Sequence, residues 1–326
     1  MKIPSGGWPC RLFSPAGFAF RSGGFSLGYC RVDERVRGWY RRGMNIGVVG
    51  ATGYIGRRVS RMAAEAGHHV IGFSRRAGTG LRVLDPSSET LDLSGLDAVV
   101  NLAGEPILGL WTKAKKEAIL SSRVGVTRRV VESLRDGPRV LVNASAVGFY
   151  GDSGERELEE SSSAGSGFLA DVCRAWEAAA MPAEQDGVRL VRLRIGFVTG
   201  PGGAMGLVRP VFKAGLGGKL GSGRQWMSCI HVDDVAGLIL WALENPAVRG
   251  AVNAVNPEPV RNSEFTRALA HVLRRPAILP VPAVAIRLAL GELSCVVLDS
   301  LRVRPVAALR GGYVFRHPTL EAGLSA

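Results

Sequence analysis

"NIGVVGATGYIGRRVSRMAAEAGHHVIGFSRR", Asn45 to Arg76, changes its periodicity twice within one short run. An apolar segment, Ile46 to Val49, meets three glycines spaced three apart: Gly50, Gly53 and Gly56. From the second glycine onward Ile55, Val59, Met62 and Ala63 recur at helical spacing until Gly67, and a second apolar run, Val70 to Phe73, follows. The reading is strand, tight turn, helix, strand. In that context Gly50 permits the turn and Gly53 lets the backbone approach a pyrophosphate at the positive helix end. Gly56 allows close helix-to-strand packing. The alternative is a glycine-rich turn of some other α/β protein, and the strand before and helix after the glycines weigh against it.

The second strand ends where a dinucleotide-binding unit carries an acid for the ribose 2′-hydroxyl of NAD. This chain has Ser74, Arg75 and Arg76 there. A carboxylate repels a 2′-phosphate, whereas a hydroxyl and guanidinium groups hold it by charge-assisted hydrogen bonds. The expected cofactor is therefore NADP(H) rather than NAD(H).

Further apolar runs follow at βαβ spacing: "DAVVNLAG" (Asp97–Gly104), "RVLVNASAVGFYG" (Arg139–Gly151) and "VRLVRLRIGFVTGP" (Val188–Pro201). Helices are expected between them, at about Ala114–Leu134 and at Phe168–Ala180. Apolar strands alternating with helices imply a parallel sheet covered on both faces. The expected fold class is α/β, a Rossmann-type doubly wound parallel sheet.

Composition narrows the function. The 326 residues are 46% hydrophobic, enough for a sizeable core, and no stretch reaches the ~18 to 20 apolar residues of a membrane span. Five scattered cysteines without metal-ligand spacing argue against a disulfide framework or zinc site, and fit a reducing cytoplasm. The net charge of +13 is not gathered into a strongly basic run or a nucleic-acid motif, so neither nucleic acid nor membrane is an expected partner. About half of that charge lies in residues 1–43, a Gly-, Pro- and Arg-rich extension with neither periodicity. That extension reads as disordered or as a misassigned start upstream of Met44, with a targeting segment as the alternative.

The strings "GATGYIG", "NLAG", "SAVGFYG", "LRIGFVTGP" and "GSGRQWMSCIHVDDVA" stand in the order found in the extended short-chain dehydrogenase/reductases. With "WEAAA", "NPEPVRNSEF" and "LRVRPVAALRGGYVFRHPTLEAGL", the chain most resembles the atypical "epimerase family" branch of that group, over about Met44 to Leu324. The resemblance implies a Rossmann domain over 44–200, rejoined by 228–258, and a smaller C-terminal substrate lobe from 201–227 and 259–326. It also implies that Thr52, Tyr54 and Ile55, Ser74 and Arg75, and Leu102 and Ala103 line the cofactor with Gly50, Gly53 and Gly56. Arg123 joins them, or is an ion-paired surface residue.

Ordinary members of the group carry a Tyr-x-x-x-Lys pair on the helix after the serine strand, for proton transfer beside the nicotinamide. Aligned on "WEAAA", this chain has Leu169 and Cys173 at those positions. Phe197 stands where the group has an Asn for a nucleotide sugar, and Met227 where it has an Arg for the diphosphate. Both losses speak against a nucleotide-sugar substrate; Arg224 is a nearby cation that could replace the Arg.

Candidate catalytic residues are then Ser145, facing the nicotinamide or a strand-end serine bonded to backbone, and Tyr150, a pocket wall or a loop anchor. Cys173 reads as an inert buried thiol and Glu177 as an ion-pairing helix residue. His231 reads as structural, ahead of a helix capped by Asp233 or Asp234. Met205, Leu207, Val211, Phe212, Leu216, Trp226 and Met227 read as lobe core before they read as a hydrophobic substrate surface. Whether the protein is an enzyme stays open. The leading expectation is an NADP(H)-dependent oxidoreductase with an unknown small-molecule substrate. Its rivals are an NADP(H)-binding regulatory or scaffold protein, for example in cell division, and a nucleotide-sugar epimerase.

Overall fold

Strand β1 (Asn45–Val49) lies near the middle of a seven-stranded parallel sheet, and the glycine turn at its end leads into helix α1 (Tyr54–Glu65). The computed structural model describes residues 43–326 except 76, 77, 79, 85–87, 89 and 136. The 1–42 part of the N-terminal extension and Arg76 therefore lie outside the described residues. The chain continues through β2 (His69–Ser74), β3 (Leu81–Val83), β4 (Ala98–Asn101), α2 (Lys113–Glu132), β5 (Val140–Ala146), β6 (Glu157–Leu158) and α3 (Phe168–Ala180). After α4 (Pro182–Gln185) come β7 (Arg189–Ile195), β8 (Phe197–Thr199), α5 (Met205–Lys213), β9 (Trp226–Met227), β10 (Cys229–His231), α6 (Val232–Glu244) and β11 (Gly250–Ala254). The last elements are β12 (Val260–Arg261), α7 (Asn262–Leu273), α8 (Ala283–Leu290), α9 (Cys295–Leu298), β13 (Arg302–Val303), α10 (Val306–Arg310) and α11 (Leu320–Ser325).

The main sheet has the order β3-β2-β1-β4-β5-β7-β11. Successive residues of its inner strands point to opposite faces, so each strand feeds two cores. Val48, Val100, Val142 and Val191 pack with Val59 and Met62 of α1 and with Val235, Leu238 and Ile239 of α6. Val49, Val99, Leu141 and Leu190 pack on the other face with Val130, Val131 and Leu134. Both layers are apolar because both faces are covered, as the near-continuous apolar strands require. The doubly wound Rossmann-type α/β fold is the one expected from the sequence. Among the described residues, no helix is long and apolar enough to cross a membrane.

Two local departures have identifiable causes. The single strand expected over Val188–Pro201 is broken at Gly196 into β7 and β8, because Phe197 donates its N–H to the Ser228 carbonyl (2.8 Å) and β8 pairs with β10 instead. A Cβ at Gly196 would overlap that same carbonyl. At the start of α6 the cap is His231, whose Nδ1 accepts from the N–H of Asp233 (3.3 Å), and neither aspartate plays that role.

Both aspartates are engaged elsewhere. Asp233 takes two hydrogen bonds from Arg58 of α1, at 2.6 and 2.7 Å. Asp234 is fully buried and accepts from the backbone N–H groups of Arg316 (2.7 Å) and His317 (2.9 Å) and from the Tyr313 hydroxyl (3.2 Å). These bonds fasten the C-terminal segment, and Ala308 and Phe315 pack into the same core layer as α1 and α6. Part of the 259–326 stretch is thus woven back onto the sheet. A second cluster, with Met205, Phe212, Phe265, Leu269, Leu320 and Leu324, joins α5, α7 and α11.

Candidate functional site

The glycine turn forms a tight cradle. Gly50 has φ +86°, and a Cβ there would stand 3.0 Å from the Leu102 carbonyl carbon and 3.1 Å from the Ala103 nitrogen. The "NLAG" loop therefore packs directly on the turn, bringing Leu102 and Ala103, both half-buried, beside it. A Cβ on Gly56 would overlap the Gly50 carbonyl oxygen. Gly53 caps α1 with no side-chain hydrogen bond, and no acidic residue occupies the first turn. The first N–H groups of α1, next to exposed Thr52 and half-buried Tyr54 and Ile55, thus lack a side-chain cap or a competing carboxylate. An anionic phosphate fits such a helix end.

At the end of β2, Ser74 is buried and Arg75 exposed. Glu105, following the "NLAG" loop, is ion-paired to Lys115 (2.9 Å). That contact first, with the charges of Arg75 and Arg123 adding to it, holds its carboxyl below the usual range. Arg123 fits neither of its two expected descriptions neatly. It is half-buried and donates to the carbonyls of Glu105 (3.0 Å) and Ile119 (3.1 Å), its guanidinium lies 5.1 Å from the Trp176 ring, and burial depresses its pKa. Among the described residues it forms no salt bridge with a carboxylate, which leaves a desolvated cation beside Gly104.

The hydroxyls of Ser145 and Tyr150 are both engaged by other side chains. The Ser145 hydroxyl donates to Glu177 Oε1 (2.8 Å). The Tyr150 hydroxyl donates to Asn253 Oδ1 (2.7 Å) and accepts from Arg194 (2.9 Å), and burial, the largest influence, raises its pKa. Both side chains are almost wholly buried. They belong to one network in which Glu177 binds Arg194 through both oxygens, at 2.8 and 3.0 Å, while the Arg194 guanidinium stacks 3.6 Å from the Phe149 ring centroid. Glu177 is the ion-pairing residue its position suggested. The sequence showed the serine but not its direction, which depends on a partner on α3.

Leu169 and Cys173 occupy the places of the absent Tyr and Lys, facing Gly148 just beyond β5. Burial pushes the Cys173 thiol up to about 11, consistent with an inert cysteine. Phe168 packs edge-on against Trp111, with ring centroids 5.0 Å apart. Phe197 packs edge-on against Phe265 (5.7 Å), and both it and Met227 join the apolar cluster of the lobe. Neither side chain can bond a diphosphate, and Arg224, nearby in the chain, is exposed. Of the apolar lobe residues, Met205 and Phe212 are core, Trp226 and Met227 half-buried, and Leu207, Val211 and Leu216 exposed.

Sequence reasoning missed a buried polar knot under the cradle. Asn101 donates to Thr127 (2.9 Å) and Asn143 (2.7 Å), and the Trp176 indole donates to Thr127 (3.0 Å). The first asparagine lies in "NLAG" itself, so a polar residue at an apolar strand end was the available signal. An open groove of about 660 Å³ between α7 and α11, lined by Trp226, Val260, Arg267, His271 and Leu320, includes none of the cradle residues.

Comparison with known proteins agrees with this geometry. Residues 46–256 match the model of the NAD dependent epimerase/dehydratase family, and residues 281–326 match a domain of unknown function, DUF1731. The chain is 41% identical over 302 residues to the epimerase family protein SDR39U1 homolog, chloroplastic, of Arabidopsis thaliana, covering 87% of this chain and 86% of that protein. It is 37% identical to the epimerase family protein YfhF of Bacillus subtilis, covering 86% and 97%. The crystal structure of human epimerase family protein SDR39U1 with NADPH superposes with a TM-score of 0.83 at 34% identity, covering 86% of this chain and 98% of that one. By its cradle, its sheet and these matches, the chain belongs to the NAD dependent epimerase/dehydratase family, in the form that ends in a DUF1731 segment.

Proposed function

We propose that the chain is an NADP(H)-dependent oxidoreductase of the atypical short-chain dehydrogenase type, acting on a small molecule other than a nucleotide sugar. The observation that carries the reading is the uncapped, acid-free glycine cradle, adjoined by a strand end with Ser74 and Arg75 in place of an acid. A human relative crystallised with NADPH supports the same cofactor. In this reading the amides of Gly50 to Gly56 hold the pyrophosphate, while Ser74 and Arg75 take the 2′-phosphate. Leu102 and Ala103 line the cleft, and Arg123 offers a desolvated cation beside it. When bound, the cofactor supplies or accepts a hydride. With the Ser145 hydroxyl committed to Glu177 and the Tyr150 hydroxyl to Asn253, the proposal assigns proton delivery to water or to the substrate itself. A cytoplasmic location belongs to the same proposal.

One observation favours a second reading, an NADP(H)-binding regulator without catalysis. The pair of positions that ordinarily carries the acid holds Leu169 and an inert, buried Cys173. The readings part on turnover: stereospecific consumption of NADPH with a carbonyl substrate supports the enzyme, and an NADPH-dependent affinity for a partner protein supports the regulator.

The experiment is a titration with NADPH, NADP+, NADH and NAD+ while the melting temperature is followed. A ligand at ~100 times its Kd adds roughly 2.7 kcal/mol, a readily visible shift. Only the phosphorylated pair should stabilise the protein. Arg75→Ala should weaken NADPH by roughly 10- to 100-fold, the worth of about 1.5 to 3 kcal/mol in a charged hydrogen bond, and leave NADH unchanged. Equal loss for both cofactors would remove Arg75 from the phosphate site, and no shift with any of the four would remove the cofactor reading.

A further inference from the structure

The imidazole of His231 is almost wholly buried, and its two nitrogens are in different situations. Nδ1 accepts the capping hydrogen bond from Asp233, so the proton of the neutral ring lies on Nε2. Nε2 is buried with no hydrogen-bond partner among the described residues. The hydroxyl of Tyr54, in the glycine turn, is likewise buried and unpartnered. The two atoms border the same spot: a Cβ on Gly200 would overlap the Tyr54 hydroxyl and stand 3.3 Å from His231 Nε2. A donor without an acceptor and a hydroxyl able to accept thus face one another across a glycine.

We propose that His231 is a positioning residue: its Nε2–H reaches the Tyr54 hydroxyl through one buried water and closes an acid-sensitive latch between the cofactor turn and the start of α6. The part concerning the cofactor rests on the NADP(H) reading above.

The groups around the ring define the sensitivity. His317, on the C-terminal segment, stacks on His231 with centroids 4.2 Å apart. Asp233 and Asp234 stand on α6, the first with Oδ1 3.8 Å from His231 Nδ1, and Arg58 reaches Asp233 from α1. A proton added at Nδ1 would confront the Asp233 N–H, donor against donor, and undo the cap. Burial foremost, then the charge of His317, hold the pKa of His231 below its ordinary 6.5, while Asp233 and Asp234 pull the other way. Between that lowered value and 6.5 the unfolded chain binds more protons than the native one, so stability falls as the pH falls through this window. His231, Asp233 and His317 also bring three possible ligand atoms within 4.8 Å of one another. Arg58 already holds both Asp233 oxygens and Nδ1 already accepts an N–H, so the cluster reads as a hydrogen-bonded joint rather than a metal site.

The Tyr54 ring fills the space against Gly202 and Gly203, where a Cβ would lie 2.6 and 2.9 Å from ring carbons. In the proposed latch its hydroxyl ties that ring to the cap of α6. When the protonated imidazole turns to relieve the clash at Nδ1, Nε2 leaves the Tyr54 hydroxyl, the Tyr54 ring is held by packing alone, and the turn that binds the cofactor loosens with it.

Two measurements on the full chain test the latch. Long-range ¹⁵N correlation spectra of the imidazoles above pH 7 should give the Nε2–H tautomer for His231; an Nδ1–H tautomer overturns the proposal. The NADPH Kd should then be followed from pH 8 to pH 5.5 in the wild type, His231→Asn and Tyr54→Phe. Asn still caps the helix but cannot be protonated, and Phe keeps the ring packing without the acceptor. The wild type should lose roughly three- to tenfold more affinity than either variant, as for a pKa that differs by about half to one unit between free and bound forms. Parallel pH profiles overturn the latch. Absence of NADPH binding at every pH overturns the cofactor reading instead, and the tautomer then still decides the latch.

Discussion

Glu177→Ala should lower the stability by about 3 to 5 kcal/mol, a fall of roughly 6 to 20 °C in melting temperature. The carboxylate is 3% exposed and is the only one in contact with Arg194, itself 3% exposed, among the described residues. Its removal strands a guanidinium inside the protein and also takes the acceptor from Ser145. Gln at the same position keeps one acceptor oxygen and should cost less. Thermal melts of both variants, with Tyr150→Phe beside them, check this. The Tyr150 variant loses two buried hydrogen bonds, one to Asn253 and one from Arg194, and should cost about 2 to 3 kcal/mol, with NADPH binding intact. A melting temperature for Glu177→Ala within a degree or two of wild type would mean that the network carries no stability. Its hydroxyls would then be available for chemistry after all.

Gly56→Ala should have the largest effect on the cofactor. The added methyl would overlap the Gly50 carbonyl and come within 2.9 Å of the Ala51 Cα, both backbone atoms that cannot rotate aside. Overpacking of this kind costs about 1 to 3 kcal/mol. Here the strain falls on the amides of the cradle, so NADPH binding should weaken by roughly 10- to 100-fold. Gly206→Ala is the control, since its methyl would meet nothing within 4 Å. Calorimetric titration of both variants gives the comparison, and equal affinities would show that the tight turn is not what holds the cofactor.

The parts of this protein readable from its sequence are those whose cause is local. Glycine spacing after an apolar run marks the cradle, and the bounds of α3, Phe168 to Ala180, follow from the sequence alone. The break at Gly196 was not readable, because its cause is a carbonyl at Ser228, a residue between two strands that is reached only after the lobe has been traversed. The direction of Ser145 depends on a carboxylate 32 residues away. "HVDD" suggested an aspartate cap, but Arg58 and the C-terminal backbone compete for both carboxylates, and the histidine takes their place. Side chains that bond across the fold are governed by geometry a single sequence does not display.

The grip of Asp234 on the C-terminal backbone has a consequence for how the chain acquires its shape during synthesis. Asp234 and Arg316 are 82 residues apart, so at ~5 to 20 residues per second a ribosome needs roughly 4 to 16 seconds to deliver the second after the first. For most of that interval α1 and α6 have been made, yet the Asp234 carboxylate has none of its three partners, and the surface awaiting Ala308 and Phe315 is bare. A nascent chain halted in this stretch carries an open seam along its oldest helices, the kind of surface that chaperones recognise.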